Sequence, residues 1–151
     1  MHDTWSWTTR SPEETIALAQ KIGAKLRPGD CIAYQGDLGA GKTTFTRGLA
    51  LGMGLGDCVT SPTFALVHEY SREGVTPLIH FDMYRIADEN ELETTGFYDY
   101  PQKESVFAVE WSENIEAALP KDTMILTLQR TGDEERRITL KGDERFADIG
   151  T

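Results

Sequence analysis

An α/β layered fold, with a mostly parallel central sheet and antiparallel additions, is predicted by three observations. Short β-branched and aromatic runs alternate with stretches of helical periodicity along the chain. A glycine-rich loop over 36–41 stands directly between an apolar run and a helix-forming segment. Two apolar runs near the end, joined by Gly132-Asp133, read as a hairpin. A chain of 151 residues has room for one domain, 1–151, because domains most often run to ~100–150 residues. Neither an internal repeat nor a linker interrupts it.

Residues 4–8 alternate large and small side chains, which suits a half-buried strand. Ser11-Pro12-Glu13-Glu14 then opens a helix: Ser11 caps it, Pro12 takes the first helical position and Glu14 completes a capping box. Ile16, Ala19, Ile22 and Leu26 carry its apolar face as far as Pro28-Gly29. A strand over 31–34 runs into the glycine-rich loop, and a helix from 43 to about 53 follows, broken around Gly52, Gly54 and Gly56. Strands are predicted over 63–70 and 78–81, around an Arg72-Glu73-Gly74 turn, and a short acidic helix over 88–92 ends near Gly96. Next come a buried strand over 106–109, a helix over 113–119 stopped by Pro120, and the final strands 124–129 and 136–141.

Acidic residues outnumber basic ones 25 to 15, giving a formal net charge of −10. A protein that grips nucleic acid alone presents a basic face that displaces phosphate counterions. Here Lys and Arg are scattered, so any RNA in the pathway is expected to be held mainly by another component. Cys31 and Cys58 fit no paired metal or redox spacing, and Cys31, in an apolar run, reads as packing. No basic-then-apolar leader is visible, and no apolar stretch nears the ~18 residues of a membrane span. A cytoplasmic protein is expected.

Residues 36–43 read Gly-Asp-Leu-Gly-Ala-Gly-Lys-Thr, the full phosphate-binding P-loop pattern, which narrows the prediction to a P-loop NTPase-like three-layer fold. Gly36, Gly39 and Gly41 let backbone N–H groups approach a polyphosphate closely, and the following helix N-terminus adds to the anion site. Lys42 reaches the β- and γ-phosphates, and the Thr43 hydroxyl is placed to ligate Mg²⁺. A plain glycine turn with an exposed lysine does not explain the eight residues in order between strand and helix. Magnesium–phosphate chemistry also needs carboxylates beyond the carboxyl ends of the strands. Asp82 ends one apolar run and Glu110 another, although acids also cap strand ends in solvent. Ser61-Pro62-Thr63-Phe64 fits either a γ-phosphate sensor or a turn before a strand. His80, placed on the opposite face of its strand from Asp82, reads as a satisfied structural histidine. For Trp111, core packing and a lid over the nucleotide both remain open.

In this order the motifs resemble the TsaE (YjeE) family of bacterial ATPases. They are GDLGAGKTTFTRG (36–48), SPTFALVHEY (61–70), HFDMYR (80–85), ELETTGFYDY (91–100) and VEWSE (109–113). The resemblance implies an ATPase that supports threonylcarbamoylation of the adenosine next to the anticodon in tRNA. It implies a two-subunit threonylcarbamoyl transferase complex (TsaB and TsaD type proteins) as partner, the ATPase being needed for repeated turnover and not performing the transfer itself. It further implies Thr43 and Glu110 as Mg²⁺ ligands, and Gly39, Ala40, Gly41, Lys42, Thr43 and Thr44 as nucleotide contacts. Asp82 would be an acid important for hydrolysis. The segments holding Thr63, His80 and Arg85 would be switch-like, with Trp111 near the nucleotide. Met83 stands where the family usually has Leu, a volume-conserving change. The C-terminal hairpin matches only loosely and contributes no site residue. On this reading Lys42 and Mg²⁺ neutralise charge on the transferring phosphoryl group and Asp82 orients the attacking water. Arg85 is the candidate for an arginine finger. The rival readings are a small-molecule P-loop kinase and a nucleotide-gated scaffold; a GTPase is disfavoured because no Asn-Lys-x-Asp motif is present.

Overall fold

In a computed structural model, residues 3–36, 41–57, 59, 67–82, 97, 100–110 and 118–149 are described. Strand β1 (Asp3–Thr9) leads into helix α1 (Pro12–Gly23), and β2 (Cys31–Gly36) leads through the glycine loop to α2 (Lys42–Gly52). A hairpin of β3 (Val67–Arg72) and β4 (Val75–Asp82) follows, turning at Gly74 with φ +78. Then come β5 (Val106–Glu110), β6 (Met124–Arg130) and β7 (Arg136–Gly142), with 3-10 turns at Gln102–Glu104 and Glu144–Phe146. All seven strands form one sheet in the order β1-β7-β6-β2-β5-β4-β3. Its central neighbours β6, β2, β5 and β4 are parallel, whereas β7, β1 and β3 are added antiparallel at the two edges.

Both faces of the central strands are covered, which is why β5 is apolar at every position before its terminal Glu110. One face carries Ile32, Tyr34, Leu78, Val106, Ala108 and Leu126 in a core with Leu18, Ala19 and Ile22 of α1 and Phe45, Leu49 and Ala50 of α2. The other buries Cys31, Ile79, Phe81, Phe107 and Val109 with Phe97, against Tyr100, Ala118 and Leu119. The expected helix over 88–92 and all but the last two residues of that over 113–119 lie outside the described residues. Helix α1 stops at Gly23, short of Leu26, because Lys25 and Leu26 bond back to Ile22 and Gly23 three residues earlier, tightening the last turn. Leu26 nevertheless packs on the core.

Helices α1 and α2 approach backbone to backbone. A Cβ added at Gly48 would collide with Ala19 Cβ and the Ile16 carbonyl, one at Gly52 with the Gln20 carbonyl, and one at Gly23 with the Leu49 carbonyl. Helix propensity alone favours Gly48→Ala by about 1 kcal/mol. The collision opposes this, since overpacking a close-packed contact costs about 1–3 kcal/mol. Gly48→Ala is therefore expected to destabilise the protein, read as a lower midpoint in urea unfolding; a higher midpoint would mean that the helices separate freely.

The end of β7 is tied to the loop after α1 by Arg145. Its guanidinium donates to both Asp30 carboxylate oxygens at 2.6 and 3.0 Å, to Asp143 at 2.8–3.0 Å and to the Lys25 carbonyl. These Arg145 hydrogen bonds hold the Asp143 carboxyl down at about 2, against ~3.9 for an unfolded aspartate. With the folded value the lower one, the contact contributes stability above about pH 4 and loses it as pH falls towards about 2. The melting temperature should fall across that window, and Arg145→Met should flatten this part of the profile.

Candidate active site

Three strand ends converge. In register, Glu110 of β5 lies between Tyr34 of β2 and Asp82 of β4, so the two carboxylates are direct neighbours across a parallel pair. Strand β2 continues two residues further, to Gly36, which has φ +122 and packs so tightly on β6 that a Cβ would strike the Leu128 carbonyl. The loop glycine therefore meets a constraint of the sheet itself. Residues 37–40, with Gly39 and Ala40, lie outside the described residues. The chain returns at Gly41, left-handed with φ +98, as the N-cap of α2, followed by Lys42, Thr43 and Thr44 in its first turn.

The two helices treat their N-termini oppositely. In α1, Ser11 Oγ accepts from the Glu14 N–H at 3.1 Å while Glu14 accepts from the Arg10 N–H at 3.0 Å, with Glu13 and Glu14 in the first turn. Helix α2 has no side-chain cap and no acid in its first turn. The positive end of a helix dipole favours negative charge, and among the described residues of α2 no first-turn acid supplies it.

Behind α2 runs a buried polar relay. The Thr46 hydroxyl donates to the Lys42 carbonyl at 2.8 Å, and Tyr34 Oη lies 2.7 Å from Thr46 Oγ1. A threonine hydroxyl has one proton, so the tyrosine must be the donor in that second bond. Tyr34 is completely buried, and burial pushes its phenol far above the ordinary tyrosine range, keeping it a neutral donor.

His80 departs from expectation. It is two residues from Asp82, and side chains two apart on a strand share a face, so the opposite-face placement is incorrect. The ring is buried on the α1–α2 side, with Nε2 at 2.7 Å from Glu110 Oε2. Nε2 has no aligned hydrogen bond among the described residues, so what ties the buried ring to the strand end is a close polar contact with Glu110. Thr63, Arg85 and Trp111 lie outside the described residues.

A small cleft of about 70 Å³ opens beside the first turn of α2, lined by Pro12, Thr15, Gly41, Thr44, Asp133, Glu134 and Arg136. The β6–β7 turn forms one wall: Arg136 Nη1 donates to the carbonyls of Gly132, Asp133 and Glu135. Its Nε stands 3.9 Å from where a Gly41 Cβ would be. Neither this wall nor the Tyr34–Thr46 relay was expected from sequence. A tyrosine hydroxyl inside an otherwise apolar strand was the one available signal, since a buried hydroxyl requires a partner.

The family profile described as "Threonylcarbamoyl adenosine biosynthesis protein TsaE" matches residues 9–138. The chain belongs to the TsaE family. It is 47% identical over 133 residues to the tRNA threonylcarbamoyladenosine biosynthesis protein TsaE of Bacillus subtilis, covering 88% of this chain and 82% of that one. Against the Streptomyces coelicolor TsaE, identity is 41% over 138 residues, covering 86% and 92%. The Treponema pallidum TsaE gives 36% over 132 residues, covering 87% and 96%. The crystal structure of Bacillus subtilis YdiB superposes with a TM-score of 0.75 at 39% identity, over 99% of this chain and 93% of that one. TsaE membership places the chain in tRNA threonylcarbamoyladenosine biosynthesis, on a P-loop NTPase-like α/β fold.

Thr46→Val removes the middle of the relay and leaves the Tyr34 hydroxyl and the Lys42 carbonyl without it. Stranding a buried polar group costs about 1–3 kcal/mol. The expected result is a loss of that size in urea unfolding; Tyr34→Phe in the Thr46→Val background should then cost little more, because its partner is already gone.

Proposed function

We propose that this protein binds ATP with Mg²⁺ and hydrolyses it so that a two-subunit threonylcarbamoyl transferase complex can modify tRNA through repeated cycles. The observation that carries the reading is the uncapped, acid-free N-terminus of α2, entered through a P-loop sequence at the strand ends that hold Asp82 and Glu110. Lys42 and the first-turn N–H groups bind the phosphates, and the nucleoside end takes the cleft beside Gly41 and Thr44.

The donor set fits Mg²⁺: a Thr43 hydroxyl and a Glu110 carboxylate are hard oxygen ligands. Among the described residues no group of three or more His, Cys, Asp or Glu could form a cage. That suits an ion which uses one or two protein ligands and completes its shell with phosphate and water. When bound, the metal would neutralise charge on the phosphoryl oxygens. Asp82, one strand away from Glu110, orients the attacking water by accepting its hydrogen bond.

The net charge of −10 supports a division of labour in which the transferase subunits hold the tRNA. Among the described residues no helix is long and apolar enough to cross a membrane, and the setting we propose is the cytoplasm.

A multiple-turnover modification assay with ATP, Mg²⁺, tRNA and both transferase subunits tests the proposal. Wild type should sustain many cycles. Lys42→Ala should lose nucleotide binding while keeping its circular dichroism spectrum, and Asp82→Ala should bind ATP yet stall after the first cycle. Sustained cycling by Asp82→Ala would exclude hydrolysis as the reset step and favour a nucleotide-gated scaffold.

A further inference from the structure

Four strands place a row of polar side chains on the α1–α2 side of the sheet. Tyr34 of β2, Glu110 of β5, His80 of β4 and His68 of β3 follow in sheet order, with His68 directly opposite His80 in register. The strand position level with His80 on β5 is Ala108, which is buried and has only a methyl group. That small residue leaves space above β5. The Tyr34 and His80 rings reach across it to 6.1 Å between centroids, and the His68 ring closes the other flank at 6.4 Å. His80 is therefore wedged between two rings with little freedom to turn away. Its Nε2 is buried, and the Glu110 carboxylate is the only acidic group recorded within ion-pair distance of it among the described residues.

Resting on the Mg²⁺–ATP reading above, we infer that His80 is a positioning residue for Glu110. It holds Oε2 inward, so that the carboxylate presents its other oxygen at the strand end, beside Asp82 and the start of α2. A glutamate has several rotatable bonds, and fixing one oxygen on a buried ring removes most of that freedom before any ligand arrives. Ligating carboxylates depend on such outer partners for orientation, and removing one costs about 10–100-fold in metal affinity. The inference gives His80 a static duty in the support of a ligand. A switch would instead have to leave its partner during the cycle.

The test measures binding of a non-hydrolysable ATP analogue by calorimetry, in EDTA and across a Mg²⁺ series. His80→Leu keeps apolar bulk and removes the nitrogen; His80→Gln returns an N–H close to the Nε2 position. His80→Leu should bind the analogue in EDTA as wild type does, while needing about tenfold more Mg²⁺ for half-maximal enhancement. His80→Gln should recover most of that loss. In a Glu110→Ala background, His80→Leu should change the Mg²⁺ requirement no further.

An unchanged Mg²⁺ requirement in His80→Leu overturns the inference. So does a loss that is equal with and without metal, which would mark a purely structural role. Should the leucine variant not fold, His80→Asn against His80→Gln makes the same comparison, because Asn cannot reach the Nε2 position; equal behaviour of the two overturns it again. If wild type itself shows no Mg²⁺-linked binding, the Mg²⁺–ATP reading fails and this inference with it. A metal-linked wild type with an unaffected His80→Leu removes this inference alone.

Discussion

The backbone contact between α1 and α2 governs the geometry of everything that sits on α2. Most helices meet through side chains, which can repack by fractions of an ångström when one of them changes. Here Gly23, Gly48 and Gly52 bring carbonyls and α-carbons into direct apposition, and backbone atoms have no rotamers with which to adjust. The first turn of α2, with Lys42 and Thr43, is therefore held at a fixed height above the sheet. Helix α1 is in turn held by its Ser11 cap and by the buried hydrogen bond of 2.6 Å between Thr15 and Thr9 at the end of β1. A remote edge strand thus takes part in locating the first turn of α2.

Against that rigid layer the sheet supplies the chemistry. The site face of β2, β5 and β4 is apolar until the last residues, where Tyr34, His80, Glu110 and Asp82 come together. Burying a hydroxyl and an imidazole among Leu and Val side chains is unfavourable unless each finds a partner. Tyr34 finds Thr46; His80 has the Glu110 carboxylate close by. Tyr34 thereby ties the loop helix to β2 and His80 sets β4 against β5, and the same desolvation that makes these groups costly makes their placement specific.

Much of this was legible in the residues, and the reason differs element by element. The α1 cap was readable because it depends on four consecutive positions: Ser11 accepts from the Glu14 N–H as expected, while the Glu14 carboxylate takes the Arg10 N–H, one residue before the Ser11 N–H that a capping box uses. The β5 strand was readable because an unbroken apolar run ending in one acid has few other uses. The parallel order of the sheet followed from strand–helix alternation. His80 was misplaced through its spacing from Asp82, since an interval of two keeps side chains on the same face. The cleft wall at Arg136 was beyond reach for a different reason. Its neighbour Gly41 is far away in sequence, and no local pattern marks a hairpin turn as the wall of a site near the start of the chain.

The pairing of β2 has a consequence for how the protein comes into being. The strand that feeds the phosphate loop has β5 on one side and β6 on the other, and both are made long after it. During synthesis, β2 and the loop leave the ribosome without either neighbour, while α1 and α2 can already dock on each other through their glycines. Such non-local parallel pairing is slow, because the closure of long loops must precede any reward in contacts. A nascent chain that ends before β5 therefore carries both helices but neither strand that flanks β2, leaving an open seam on each side of it. Only the arrival of β6 closes the second seam.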